Sequence, residues 1–148
     1  MVRARATCSC TGPTFSPRAA EAQTGLTFTR KSEPGEVSEV DRYQGHTTGH
    51  GRAELSLQEY GLLADLVGKN QSALDALARS LESLRRAGAT DLKIRFDIEY
   101  AGPCVIDVPA ALLEKLGQLG LPLVIHCFEA QETEEMSQRG DRGLPTLP

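Results

Sequence analysis

The chain has 148 residues, enough for one domain of ordinary size whose core needs no disulfide or metal staples. Hydrophobic residues at 40 % and charged residues at 24 % are globular values, and with aromatics at 5 % and no Trp the core is left to Leu, Val, Ile and Ala. The net charge of −4 argues against a nucleic-acid partner, because the basic pairs Arg3/Arg5 and Arg85/Arg86 are too small to neutralise phosphates; a basic protein partner matches the sign better, and solubility alone explains it equally well.

The first ten residues alternate, with Val2, Ala4, Ala6, Cys8 and Cys10 against Arg3, Arg5, Thr7 and Ser9, which predicts a half-buried strand ended by Gly12-Pro13. Ser16-Pro17 reads as N-cap and first residue of a short helix stopped near Gly25. A weak strand is expected over 26–30, then a long polar, Gly-rich loop to Gly51. Ala53, Leu55 and Leu57 predict another strand, in competition with a helix start at Ser56, where Ser56-x-x-Glu59 has capping-box spacing, and 60–67 looks helical. Ser72-x-x-Asp75 then opens the strongest helix, with its stripe Leu74, Leu77, Ala78, Leu81 and Leu84, Arg85 and Arg86 in the last turn and Gly88 as the stop. Leu92, Ile94, Phe96, Ile98 and Tyr100 alternate with Lys93, Arg95, Asp97 and Glu99, the cleanest strand of the chain. Asp107 is expected to cap a third helix with Pro109 in its first turn and Gly120 at its end. A last strand follows over 121–128.

This order predicts an α+β fold: an antiparallel or mixed sheet of about five strands with helices packed on one face. Its first six elements have ferredoxin-like βαββαβ order, and an extra αβ unit follows. The domain is expected over 1–130, with an acidic, flexible tail over 131–148. No stretch reaches the roughly 18 apolar residues of a membrane span, and the basic N-terminus lacks the apolar segment of a signal peptide. The expectation is therefore a cytoplasmic protein, not membrane-bound, with Cys8, Cys10, Cys104 and Cys127 as reduced thiols.

No constellation points to catalysis or to a cofactor. His46 and His50 have the i, i+4 spacing of zinc ligands on a helix, but Gly45, Gly49 and Gly51 around them describe a loop, and structural zinc takes four ligands. Cys8 and Cys10 lie on the apolar side of their strand, where thiols pack as small hydrophobes. His126 and Cys127 are strand neighbours and point to opposite faces, so they form no dyad. Asp97 and Glu99, roughly 7 Å apart along one face, read with Lys93 and Arg95 as a solvated charge ladder. On the last strand Leu123, Ile125 and Cys127 can face the helices, which turns Val124, His126 and Phe128 the other way, either as an apolar patch on the open face where a partner can dock or as one side of a central strand covered by the long loop or the tail.

Ser16-Pro17 before a short helix ending Thr24-Gly25-Leu26, Pro34-Gly35-Glu36, the leucine-rich helix, the alternating strand, the segment from Pro109 to Gly120 and the strand ending His126-Cys127-Phe128 together resemble the small bacterial proteins of the domain of unknown function 4279 family. The resemblance implies a non-catalytic immunity-type protein that neutralises a cognate toxin by direct docking, with no catalytic residues to carry over. The expected contacts are Arg95, Asp97, Glu99, His126 and Phe128, plus the 42–51 loop. Two other readings stay open: a small enzyme or ligand-binding domain with a pocket between that loop and the sheet, polar groups supplied by His46, His50, Asp97 and Glu99, and a homodimer through the open face.

Overall fold

The structure, a computed structural model, describes residues 2–37 and 49–130; the His46 position, most of the 42–51 loop and the expected 131–148 tail lie outside the described residues. Five strands form one sheet in the order β2-β3-β1-β4-β5. They are β1 (Val2–Gly12), β2 (Arg30–Ser32), β3 (Gly51–Gly61), β4 (Asp91–Tyr100) and β5 (Leu123–Glu129). Three helices, α1 (Pro17–Thr24), α2 (Gln71–Arg86) and α3 (Ala110–Leu119), and a 3-10 turn at Leu63–Val67 complete the described elements. β1 pairs antiparallel with β3 and β4, β2 pairs antiparallel with β3, and β5 pairs parallel with β4. The first four strands thus interleave two crossovers, β1-α1-β2 and β3-α2-β4, in the ferredoxin-like manner, and α3-β5 adds a third crossover at one edge.

The alternation of the strands decides which face is core. Ala4, Ala6, Cys8 and Cys10 of β1 are fully buried, and their β4 partners Ile98, Phe96, Ile94 and Leu92 join them. Ala53, Leu55 and Leu57 supply the β3 share. Onto this face the helices lay Leu74, Leu77 and Leu84 from α2 and Leu112, Leu116 and Leu119 from α3. Phe15 and Phe28 close one end, edge to face at 6.3 Å. The same end demands glycine: a Cβ on Gly51 would stand 1.7 Å from the Phe15 carbonyl oxygen, so backbone passes where a side chain would sit.

Several local expectations shift. The second strand is Arg30–Ser32 rather than 26–30, because Leu26 is drawn against the core and Phe28 into it just before the strand begins. Residues 60 and 61 belong to β3, and only Leu63–Val67 turns helically. α2 begins earlier than Ser72, with Asn70 at the N-cap position, and α3 is preceded by Pro109 with no bond from Asp107. Ser16 caps α1 as read, accepting the Ala19 N–H at 3.2 Å, and Gly25 and Gly120 end α1 and α3 at φ 77° and 66°. No helix of the described residues is long and apolar enough to cross a membrane.

Candidate binding face on the open sheet

The face turned away from the helices carries the odd-numbered residues of β1 and β4 and the even-numbered residues of β5. Register sets their order: Arg3 lies opposite Glu99 and Arg5 opposite Asp97, while Asp97 lies beside His126 and Glu99 beside Phe128. All five expected contact residues, Arg95, Asp97, Glu99, His126 and Phe128, therefore share one face on two adjacent strands. His50, from the described end of the loop, is exposed just before β3.

Asp97 departs from its expected role. It is 3 % exposed, not a rung of a solvated ladder. Arg95 Nε donates to its Oδ1 at 2.8 Å, Arg5 Nη2 donates to its Oδ2 at 3.2 Å, and His126 Nδ1 stands 3.7 Å from Oδ1. A carboxylate taken out of water needs such partners on both oxygens. Both arginine side chains keep partial contact with water, 35 % exposed for Arg5 and 44 % for Arg95, although the Arg5 Nε is itself buried without a hydrogen-bond partner. Asp97 is thus an organising centre that orients two arginines, and the half-buried Arg5 with the exposed Arg95 and His126 forms the outer surface of the cluster.

Tyr60 completes the face and was not among the expected residues. Its ring stands edge to face with Phe128 at 6.2 Å, and the Arg3 and Arg5 guanidinium carbons lie 5.4 and 5.8 Å from its centroid. Burial pushes the Tyr60 phenol above its ordinary value; Arg5 opposes that rise, Asp97 and Glu99 add to it, and Arg3 opposes it. Two register shifts in β3 aim this ring. Thr7 pairs with Ser56 but Ala6 with Gln58, and Ala4 with Gly61, so β3 spends two extra residues against β1. The first shift turns Gln58 inward beside Leu57. There its amide donates to the Ala4 and Leu62 carbonyls at 3.1 and 2.9 Å and accepts from Asn70 at 3.0 Å. Nothing in the spacing of Leu57, Gln58 and Tyr60 announces the shifts. The signal that could have pointed to Tyr60 is the pair Arg3 and Arg5 on the same face of β1.

Charge on this face runs against the chain's total. Arg3, Arg5, Arg30, Arg52, Lys93 and Arg95 face Glu54, Glu59, Asp91, Asp97 and Glu99, so the net −4 is carried elsewhere. The inference from net charge to a basic partner does not hold for this surface.

Other groups are placed away from it. Cys8 and Cys10 are buried side by side; their mutual hydrogen bond, with burial added, raises the Cys10 thiol well above its ordinary value. That is the opposite of an activated nucleophile. Cys104 and Cys127 are exposed. Among the described residues no three His, Cys, Asp or Glu side chains converge as metal ligands. Two hollows, of about 90 and 340 Å³, lie on the helical side and are lined by α2 and α3 residues such as Leu74, Asp75, Lys115 and Gln118. No family model, no curated protein and no solved structure matches the chain.

Proposed function

We propose that the chain is a non-catalytic binding protein of the cytoplasm that docks a protein partner on its open sheet face. The cluster of Tyr60, Phe128, Arg3, Arg5 and Arg95 around Asp97 is the observation that carries this reading. Binding energy at protein interfaces concentrates in a few Tyr, Trp and Arg anchors held in fixed geometry. Here cross-strand ion pairs and ring contacts hold them before any partner arrives, which lowers the ordering cost of association. Arg3 and Arg5 lie over the Tyr60 ring, so that face is occupied where a base would stack, which favours a protein over a nucleic acid.

The resemblance to the domain of unknown function 4279 family supports the narrower proposal, an immunity-type protein occluding a cognate toxin. A small enzyme or ligand-binding domain is the alternative; it rests on the 42–51 loop. The test is to express the product of the gene adjoining this one, assay it for toxicity with and without the parent, and titrate it with the parent and with Tyr60→Ala and Phe128→Ala. Nanomolar binding that both variants weaken, with loss of toxicity in the parent complex, is the expected result. Variants that bind like the parent overturn the docking face, and an adjoining gene product that does not bind overturns the toxin.

A further inference from the structure

The two edges of the sheet are built differently. β2 is three residues long and carries Arg30 and Lys31, devices that discourage strand pairing. β5 has seven residues, Leu-Val-Ile-His-Cys-Phe-Glu, with its one carboxylate at the end and no Lys, Arg or Pro inside. Among the described residues it pairs with β4 alone. Val124 is 42 % exposed on one face and Ile125 45 % exposed on the other, because the helical layer stops short of this strand. Its backbone phase is fixed at both ends: the Pro122 carbonyl accepts the Ile94 N–H and Ala130 N–H donates to the Tyr100 carbonyl. Even-numbered residues thus turn their N–H and C=O toward β4, and Leu123, Ile125, Cys127 and Glu129 turn theirs outward.

We propose that β5 is the seam of a homodimer, in which two copies pair this strand antiparallel about a two-fold axis at His126. The sequence is self-complementary in that register. Ile125 meets Cys127 of the second copy on the helical side, Val124 meets Phe128 on the open side, and the outward backbone groups of 125 pair with those of 127, and of 123 with those of 129. The axis at His126 aligns all seven residues of the strand, whereas an axis one pair away loses two. No Asp, Glu, Lys or Arg opposes a like charge along the paired strand, and the two imidazoles meet at the axis. A two-fold contact of this kind is isologous and closes, so it ends at two copies. The two open faces become neighbours on one continuous sheet. The proposal stands independently of the toxin reading, since it concerns only the chain's contact with itself.

Sedimentation equilibrium of the full chain tests the association, and cysteine cross-linking tests the register. The parent is expected to dimerise in the micromolar range or tighter, with a melting temperature that rises with concentration, and Ile125→Lys, a charge placed at an exposed edge position, is expected to abolish the dimer and to melt, at any concentration, like the parent diluted to monomer. With Cys104→Ser and Cys127→Ser as background, His126→Cys is expected to give a covalent dimer on mild oxidation. Residues directly opposite at a non-hydrogen-bonded site have Cα atoms about 4.5 Å apart, within disulfide reach. Val124→Cys in the same background faces Phe128 and is expected to stay uncross-linked. A monomer at every concentration, a dimer that survives Ile125→Lys, or cross-linking through 124 rather than 126 each overturns the proposal.

Discussion

At Phe96 and Asp97, neighbours on β4, the two faces of the sheet ask for opposite chemistry. Phe96 is 1 % exposed among Ala6, the helices and Ile125, and Phe96→Ala is expected to destabilise the fold by about 3–5 kcal/mol, read from denaturant unfolding. Asp97 is as thoroughly buried, but its cost comes from charge. Asp97→Asn leaves Arg5 and Arg95 without their shared carboxylate, a loss of about 1–3 kcal/mol, toward the lower figure because both arginine side chains keep partial contact with water. Asp97→Lys is expected to cost distinctly more, since it sets a third cation between two others. If Asp97→Lys melts like the parent, the carboxylate is not the organiser described. The strand's alternation placed both residues on their correct faces; it could not show that one charged residue was enclosed. That depended on Arg5, ninety-two residues away in sequence, lying opposite it.

Elements whose chemistry is local were legible, and those decided by distant contacts were not. The caps of α1 and the leucine stripe of α2 follow from their own residues. The position of β2 follows instead from Phe28 and from Glu21 of α1, whose carboxylate accepts the Phe28 N–H at 3.1 Å and pairs with Lys31. Burial pushes the Glu21 carboxyl up, but the Lys31 and Phe28 hydrogen bonds together with the Lys31 charge outweigh it and hold it below its ordinary value. A lowered carboxyl adds stability that is present above the ordinary glutamate range and is lost as pH falls through the folded value. Urea unfolding between pH 7 and pH 3 is therefore expected to show Glu21→Gln weaker than the parent at neutral pH, with the gap closing in acid. A gap that stays constant with pH would show that the ion pair is not its source. The β3 shifts make the same point about distance. Gln58→Leu removes the amide that serves Ala4, Leu62 and Asn70, and is expected to cost about 1–3 kcal/mol despite the similar size. Losing that anchor also frees the segment that aims Tyr60.

Over the whole molecule, the proposed docking face lies on the side of the sheet opposite the core that stabilises it. The helices cover the apolar side, so most substitutions on the open face act on solvent-exposed groups. Lys93 and Arg95 carry exposed side chains at 43 % and 44 %, and reversing Lys93 or replacing Phe128 with Ala should move the melting temperature by no more than a few degrees. The same changes are expected to weaken binding to the partner, by about 2 kcal/mol or more where the residue is an anchor. Asp97 breaks the separation, because it is enclosed on the proposed docking face, and its variants should lose both properties together. Tyr60→Phe keeps the ring against Phe128 and the arginines and removes only the hydroxyl, so binding should fall less than in Tyr60→Ala. Measured side by side by calorimetry and thermal melts, these variants separate a docking face from a merely structural one. On a docking face, affinity drops while melting holds for Lys93 and Phe128; on a structural face, any loss of affinity tracks the loss of melting temperature across the whole set.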